Sequence, residues 1–105
     1  MCLCNLVAFH PHLFSRTKSF LYEFADALAT ADAAIVAPIY AAREATDPSV
    51  SNHILADEIT KRGGAGSALD SFDEIRDELL KYGDDTLIIT MGAGDIYKVA
   101  EQITD

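Results

Sequence analysis

The sequence predicts an α/β fold: one three-layer domain in which a mostly parallel sheet lies between helices. Three observations predict it. Short apolar runs bounded by turn residues alternate with segments of helical periodicity, the order that builds β-α-β units. The runs are near-continuous rather than alternating, as strands covered on both faces require. Three of the helical segments begin after a serine, and one stops at a glycine pair, so helices and strands are separated by recognisable punctuation.

Taken in order, Leu3 to Phe9 is apolar apart from Asn5 and forms the first strand, which Pro11 helps to end because it offers no backbone donor. Ser15 is expected to cap the following helix, which places Phe20, Phe24 and Leu28 on one face, with Leu21 and Ala25 alongside. Ala33 to Ala37 reads as the second strand, closed by Pro38. A loop through Arg43, Glu44 and Pro48 leads to Ser51, which caps a helix bearing Ile54, Leu55 and Ile59 and stopping at Gly63-Gly64. Ala65 to Leu69 is rich in glycine, serine and alanine, so a third strand there is short and lies at an edge. Ser71 caps a helix with Phe72, Ile75 and Leu79 on its buried side. Thr86 to Met91 is the clearest strand, and Gly92 to Asp95 turns into a last helix carrying Ile96, Val99, Ala100 and Ile103.

Four strands of this kind suit a doubly wound sheet. In the common order 3-2-1-4, strands 1 and 4 are neighbours and the topological switch point falls between them. The loops Pro11–Thr17 and Met91–Asp95 then open at the carboxyl ends of adjacent strands, onto one crevice.

With 105 residues, half of them hydrophobic, the chain makes one domain with its own core. A net charge of −9 repels nucleic acid phosphates and anionic membranes, so neither is an expected partner. No apolar run approaches the ~20 residues of a membrane span. The start lacks a basic segment and a cleavage site, which makes cytoplasm the expected compartment. Cys2, Cys4, His10 and His12 match no common zinc spacing, and no metal site is expected.

The chemistry concentrates in the first loop. Arg16 and Lys18 are expected in the first helical turn, where exposed N–H groups already make the helix end positive. Such a violation of local preference points to function, and the simplest gain is capture of an anion. His12 and Arg16 then hold a carboxylate or a phosphate; the bland alternative is a loop histidine and a solvated arginine. His10, last in its strand, reads as structural. Gly92-Ala93-Gly94-Asp95 is a tight turn before a helix and falls short of the dinucleotide fingerprint, which needs a third glycine and an acidic residue on the next strand. Arg43-Glu44 and Asp84-Asp85 read as solvated loop surface, while Tyr40 either edges the crevice or packs under the loop. No Ser/His/Asp nucleophile set is evident. The phosphate-binding Gly-x-x-x-x-Gly-Lys-Ser/Thr is also missing, so no nucleotide cofactor is expected in this chain alone.

Phe9-His10-Pro11-His12-Leu13-Phe14-Ser15-Arg16-Thr17 closely resembles the Phe-Gln-Pro-His-x-Phe/Tyr-Ser/Thr-Arg-Thr motif of the UDP-N-acetylmuramate–L-alanine ligases, ATP-dependent Mur ligases of peptidoglycan synthesis in cell wall biogenesis. Glu23 to Leu28, Ile39 to Glu44, Thr90 to Ile96 and Lys98-Val99 agree in the same order. The resemblance implies a Rossmann-like C-terminal domain, residues 1–105, that positions the incoming amino acid. In the family, ATP phosphorylates a lactyl carboxylate and the amine of L-alanine attacks the acyl phosphate. By this similarity His12 and Arg16 bind the carboxylate of L-alanine or a similar amino acid. Ser15, Thr17, Gly92, Ala93, Gly94 and Asp95 shape the cleft near the nucleotide. ATP and Mg belong to the complete enzyme, whose ATPase and UDP-sugar domains would lie in cis or on a separate chain. Leu13 stands where many members have arginine, His10 replaces glutamine, and the family's Asp-Asp-x-x-His-His-Pro segment has no counterpart. The expectation is therefore a fragment, truncated at its N-terminus and inactive alone. The alternatives are a stand-alone, non-catalytic binding or interaction module of the same fold, and last a response-regulator-like domain, whose acidic cluster is missing.

Overall fold

The computed structural model describes residues 4–82, 85–92 and 96–103. Within them four strands, β1 (Cys4–His10), β2 (Ala33–Val36), β3 (Gly66–Ala68) and β4 (Thr86–Gly92), form one parallel sheet in the order β3-β2-β1-β4. Five helices connect them: α1 (Phe14–Ser19), α2 (Leu21–Leu28), α3 (Asn52–Lys61), α4 (Phe72–Leu79) and α5 (Tyr97–Ile103). This is the three-layer α/β architecture that the apolar runs predict, in the order common to doubly wound sheets.

Because successive strand residues point to opposite faces, β1 and β2 divide their apolar side chains between two cores. Leu6, Ala8 and Ile35 pack with Ile75 and Leu79 of α4 and Val99 of α5. Val7, Ala34 and Val36 pack on the other face with Ala25 and Leu28 of α2 and Leu55, Ala56 and Ile59 of α3. The two long pairings of β1, with Ala33–Val36 on one side and Thr86–Gly92 on the other, make it the central strand.

Two of the three expected serine caps stand where the sequence puts them. The Ser51 hydroxyl accepts from the Ile54 N–H at 3.2 Å and the Ser71 hydroxyl from the Glu74 N–H at 3.1 Å. At the far end of α3, Gly63 takes φ +86° and the Gly64 N–H returns to the Ile59 carbonyl, a paired closure that needs a left-handed residue. The third strand is short and at the edge, and its composition has a steric cause. A Cβ on Gly66 would lie 2.6 Å from the Ala56 carbonyl oxygen, so α3 can seat against β3 only if that position is bare.

Three features depart from expectation. The chain does not run as one helix from Ser15 to Leu28. It breaks at Phe20, whose backbone (φ −113°, ψ 24°) is non-helical and whose side chain stays exposed. Ser15, Thr17 and Ser19 are weak helix formers, which suits a one-and-a-half-turn piece. Ser15 is not the cap: Leu13 occupies the cap position with φ +70°, so α1 starts two residues early. Lys18, and Arg16 in part, consequently fall toward the last turn of this six-residue helix, where cations are favoured, and the expected clash with the helix dipole weakens. Finally, β4 is covered on one face only. Ile88 packs into the α4–α5 core, whereas Leu87, Ile89 and Met91 remain exposed on the opposite face of this edge strand. No helix among the described residues is long and apolar enough to cross a membrane.

Candidate functional site

The order β3-β2-β1-β4 puts the switch point between β1 and β4, and a cavity of about 220 Å³ opens there, at the carboxyl ends of the two strands. Phe9, His10, His12, Arg16, Phe24 and Gly92 line it. His12 and Arg16 of the first predicted loop therefore meet Gly92 of the second in one crevice.

Each wall has a local cause. Gly92 ends β4 in register with His10, at φ +138°, and a Cβ there would lie 2.4 Å from the His10 carbonyl oxygen. Only glycine lets the strand end this close to β1. Phe9 and Phe24 make the apolar wall, with ring centroids 5.3 Å apart. His10 is buried, edge-on to Phe72 at 5.2 Å and beside Tyr40 at 5.8 Å. His12 leans on the other side of Tyr40 at 5.6 Å, and the backbone bridges the same two residues. Tyr40 thus packs between the two imidazoles that line the cavity.

Arg16 is exposed at the cavity mouth. Arg62 and Arg76 pair with carboxylates, but no carboxylate among the described residues pairs with Arg16. A guanidinium and an imidazole on one side and two phenyl rings on the other suit a small anion that carries an apolar group. The wall residues Phe9, His10 and Phe24 were hidden from sequence reasoning, which assigned them to the core or the strand.

Ser15 and Thr17 lie elsewhere. Thr17 is fully buried and its hydroxyl donates to the Leu13 carbonyl at 2.8 Å, so it holds the backbone of the loop without facing the cavity. Ser15 lines a separate cavity of about 230 Å³ with Phe14, Glu44, Ala45 and Asp47. There its N–H donates to one Glu44 oxygen at 3.2 Å and its hydroxyl donates to the other. The Ser15 hydroxyl bond is the main cause that holds the Glu44 carboxyl below its ordinary value. Glu44 is thus engaged rather than simply solvated, while Arg43 is exposed. Ala93, Gly94 and Asp95 lie outside the described residues, as do Cys2 and Asp84. Cys4 begins β1 and His10 ends it, so about 20 Å of extended strand separates them. Among the described residues no three His, Cys, Asp or Glu side chains converge as metal ligands.

No family model matches the chain. Individual proteins do. It is 48% identical over 100 residues to the UDP-N-acetylmuramate–L-alanine ligase of Lachnospira eligens, a match covering 92% of this chain and 21% of that protein. The chain is a sequence relative of the UDP-N-acetylmuramate–L-alanine ligases, over a C-terminal part of them. The ligases of Clostridium novyi (43% identity over 100 residues, 92% of this chain and 21% of the relative) and Lachnoclostridium phytofermentans (42% over 98 residues, 90% and 20%) agree. The chain therefore spans about a fifth of the length of the curated ligases it matches.

Proposed function

We propose that this chain is the amino-acid-positioning domain of a UDP-N-acetylmuramate–L-alanine ligase, working with UDP-sugar and ATPase domains supplied in cis or by another chain in the cytoplasm. The observation that carries the proposal is the convergence of His12, Arg16 and Gly92 on one cavity, in a chain whose relatives are named for L-alanine. Arg16 and His12 take the carboxylate of the incoming amino acid by charge-assisted hydrogen bonds. Phe9 and Phe24 bound the space beside it, which suits a small apolar side chain. Gly92 bounds the same cleft at the end of β4.

With the carboxylate held, the amine is left free to point away from Arg16. It attacks the acyl phosphate that the ATPase domain forms on the lactyl carboxylate, the amide bond forms, and phosphate leaves. ATP and Mg act in those other domains. This chain contributes orientation, which converts a bimolecular encounter into a positioned one.

Two measurements test the reading. Titration of the purified chain with L-alanine, followed by NMR at His12, is expected to give a saturable shift at millimolar concentration that Arg16→Ala abolishes. The chain alone is expected to make no ATP-dependent ligation product. Robust product from the isolated chain, or no response to alanine, overturns the proposal.

A further inference from the structure

Glu44 ties together the two loops that flank the cavity. The Leu13 N–H donates to the Tyr40 carbonyl and the Tyr40 N–H to the Pro11 carbonyl, both at 2.8 Å, so segments 11–13 and 40–44 run stitched side by side. Glu44 closes the stitching. Its two oxygens receive the N–H and the hydroxyl of Ser15, twenty-nine residues away in sequence. The Leu13 cap position of α1 makes no side-chain hydrogen bond, so the N–H of Ser15 in the first helical turn is satisfied from outside the helix.

The backbone around this clasp is strained. Leu13 at φ +70° and Ala42 at φ +54° are the non-glycine residues with positive φ among those described, and one sits in each stitched segment. Such conformations persist only where surrounding contacts over-determine them. Ser15 and Arg16 are consecutive in α1 and serve different cavities: Ser15 faces Glu44, and Arg16 lines the His12 cavity.

We propose that Glu44 is a positioning residue, whose carboxylate pins the start of α1 and so fixes the direction in which Arg16 enters the cavity. The ligand half of this inference rests on the amino-acid reading above; the geometric half does not. The charged group facing Glu44 is Asp47 of the same segment, which opposes its ionisation and is itself paired with Lys18 of α1 at 3.7 Å. Arg43 precedes it in the chain.

The test uses the purified chain with Glu44→Ala and Glu44→Gln, read first without ligand. In the wild type the Ser15 amide proton is expected to be protected from exchange and to shift as pH falls through the Glu44 titration. Glu44→Ala abolishes both effects and loosens the Arg16 Nε–H on the relaxation timescale. Glu44→Gln keeps the N–H acceptor, restores part of the protection and gives a flat pH profile, which isolates Glu44 from Asp47. The midpoint for L-alanine is expected to rise about threefold or more in Glu44→Ala, the range for residues coupled through shared contacts. An unchanged Ser15 amide or unchanged Arg16 dynamics in Glu44→Ala overturns the positioning role, as does an unchanged midpoint where the wild type responds. A wild type silent to alanine with the Ser15 and Arg16 effects intact overturns the amino-acid reading and leaves the positioning role standing.

Discussion

Replacing Gly92 by alanine tests the seam on which the cavity depends. Two costs are legible there. The backbone sits at φ +138°, a region that L side chains rarely adopt, and occupying it costs about 1–3 kcal/mol. The new Cβ would also lie 2.4 Å from the His10 carbonyl oxygen, so β4 must withdraw from β1, an overpacking cost of about 1–3 kcal/mol. A destabilisation of about 4 kcal/mol follows, or roughly 15–25 °C in Tm for a domain of this size. Gly63→Ala is the control, because Gly63 has φ +86° but nothing within 4 Å of a Cβ. It carries the backbone cost alone, about 1–2 kcal/mol. Thermal and urea unfolding followed by circular dichroism measure both. Equal losses in the two variants, within about 0.5 kcal/mol, would refute the steric contact across the β1–β4 seam.

Asn52 gives a second stability test. It is buried at the start of α3, and its amide donates to the carbonyls of Val36 and Leu69 and to the Asp70 carboxylate at 3.1–3.2 Å. Asn52→Ala removes that shared donor and is expected to cost about 2 kcal/mol, seen as a urea midpoint lower by roughly 1 M; an unchanged midpoint would refute it. Acid sensitivity is the third. Glu44 is held below its ordinary 4.5 first by the Ser15 hydroxyl, and Asp70 below 3.8 first by Asn52 and then His53. Each carboxyl therefore binds its proton more tightly unfolded than folded. Their contribution is complete above the unfolded values and is lost as pH falls from about 4.5 through the lower folded ones. The urea midpoint is expected to decline across that window, less steeply in Glu44→Gln and Asp70→Asn than in the wild type; equal slopes would contradict the assignment.

The strands β1, β2 and β4 were legible because continuous apolar runs leave them few alternatives, their order because it is the common doubly wound one, and the Ser51 and Ser71 caps because capping is decided within four residues. The crevice followed from that order. The misreading of α1 had a specific source: a leucine gives no sign of adopting positive φ, so the helix start slipped by two residues. The Glu44–Ser15 clasp joins residues far apart in sequence, and neither residue type advertises the other. In Arg43-Glu44 the local pattern is that of any exposed loop. Phe24 illustrates the remaining blindness, since helical spacing marks it as apolar and facing the sheet without saying that it also borders an opening.

The central place of β1 has a consequence for how the molecule comes into being. Cys4 pairs with Thr86 and His10 with Gly92, nearly the whole length of the chain apart. Parallel pairings over such distances close slowly, because the intervening loop entropy is lost before any contact is made. During synthesis, β1, α2, β2 and α3 can associate early, but one edge of β1 stays bare until β4 has emerged. The cavity has one wall from each end of the chain, so it is completed only in the final closure. A nascent or clipped chain lacking β4 would retain Arg16 and His12 yet present them on an open flank.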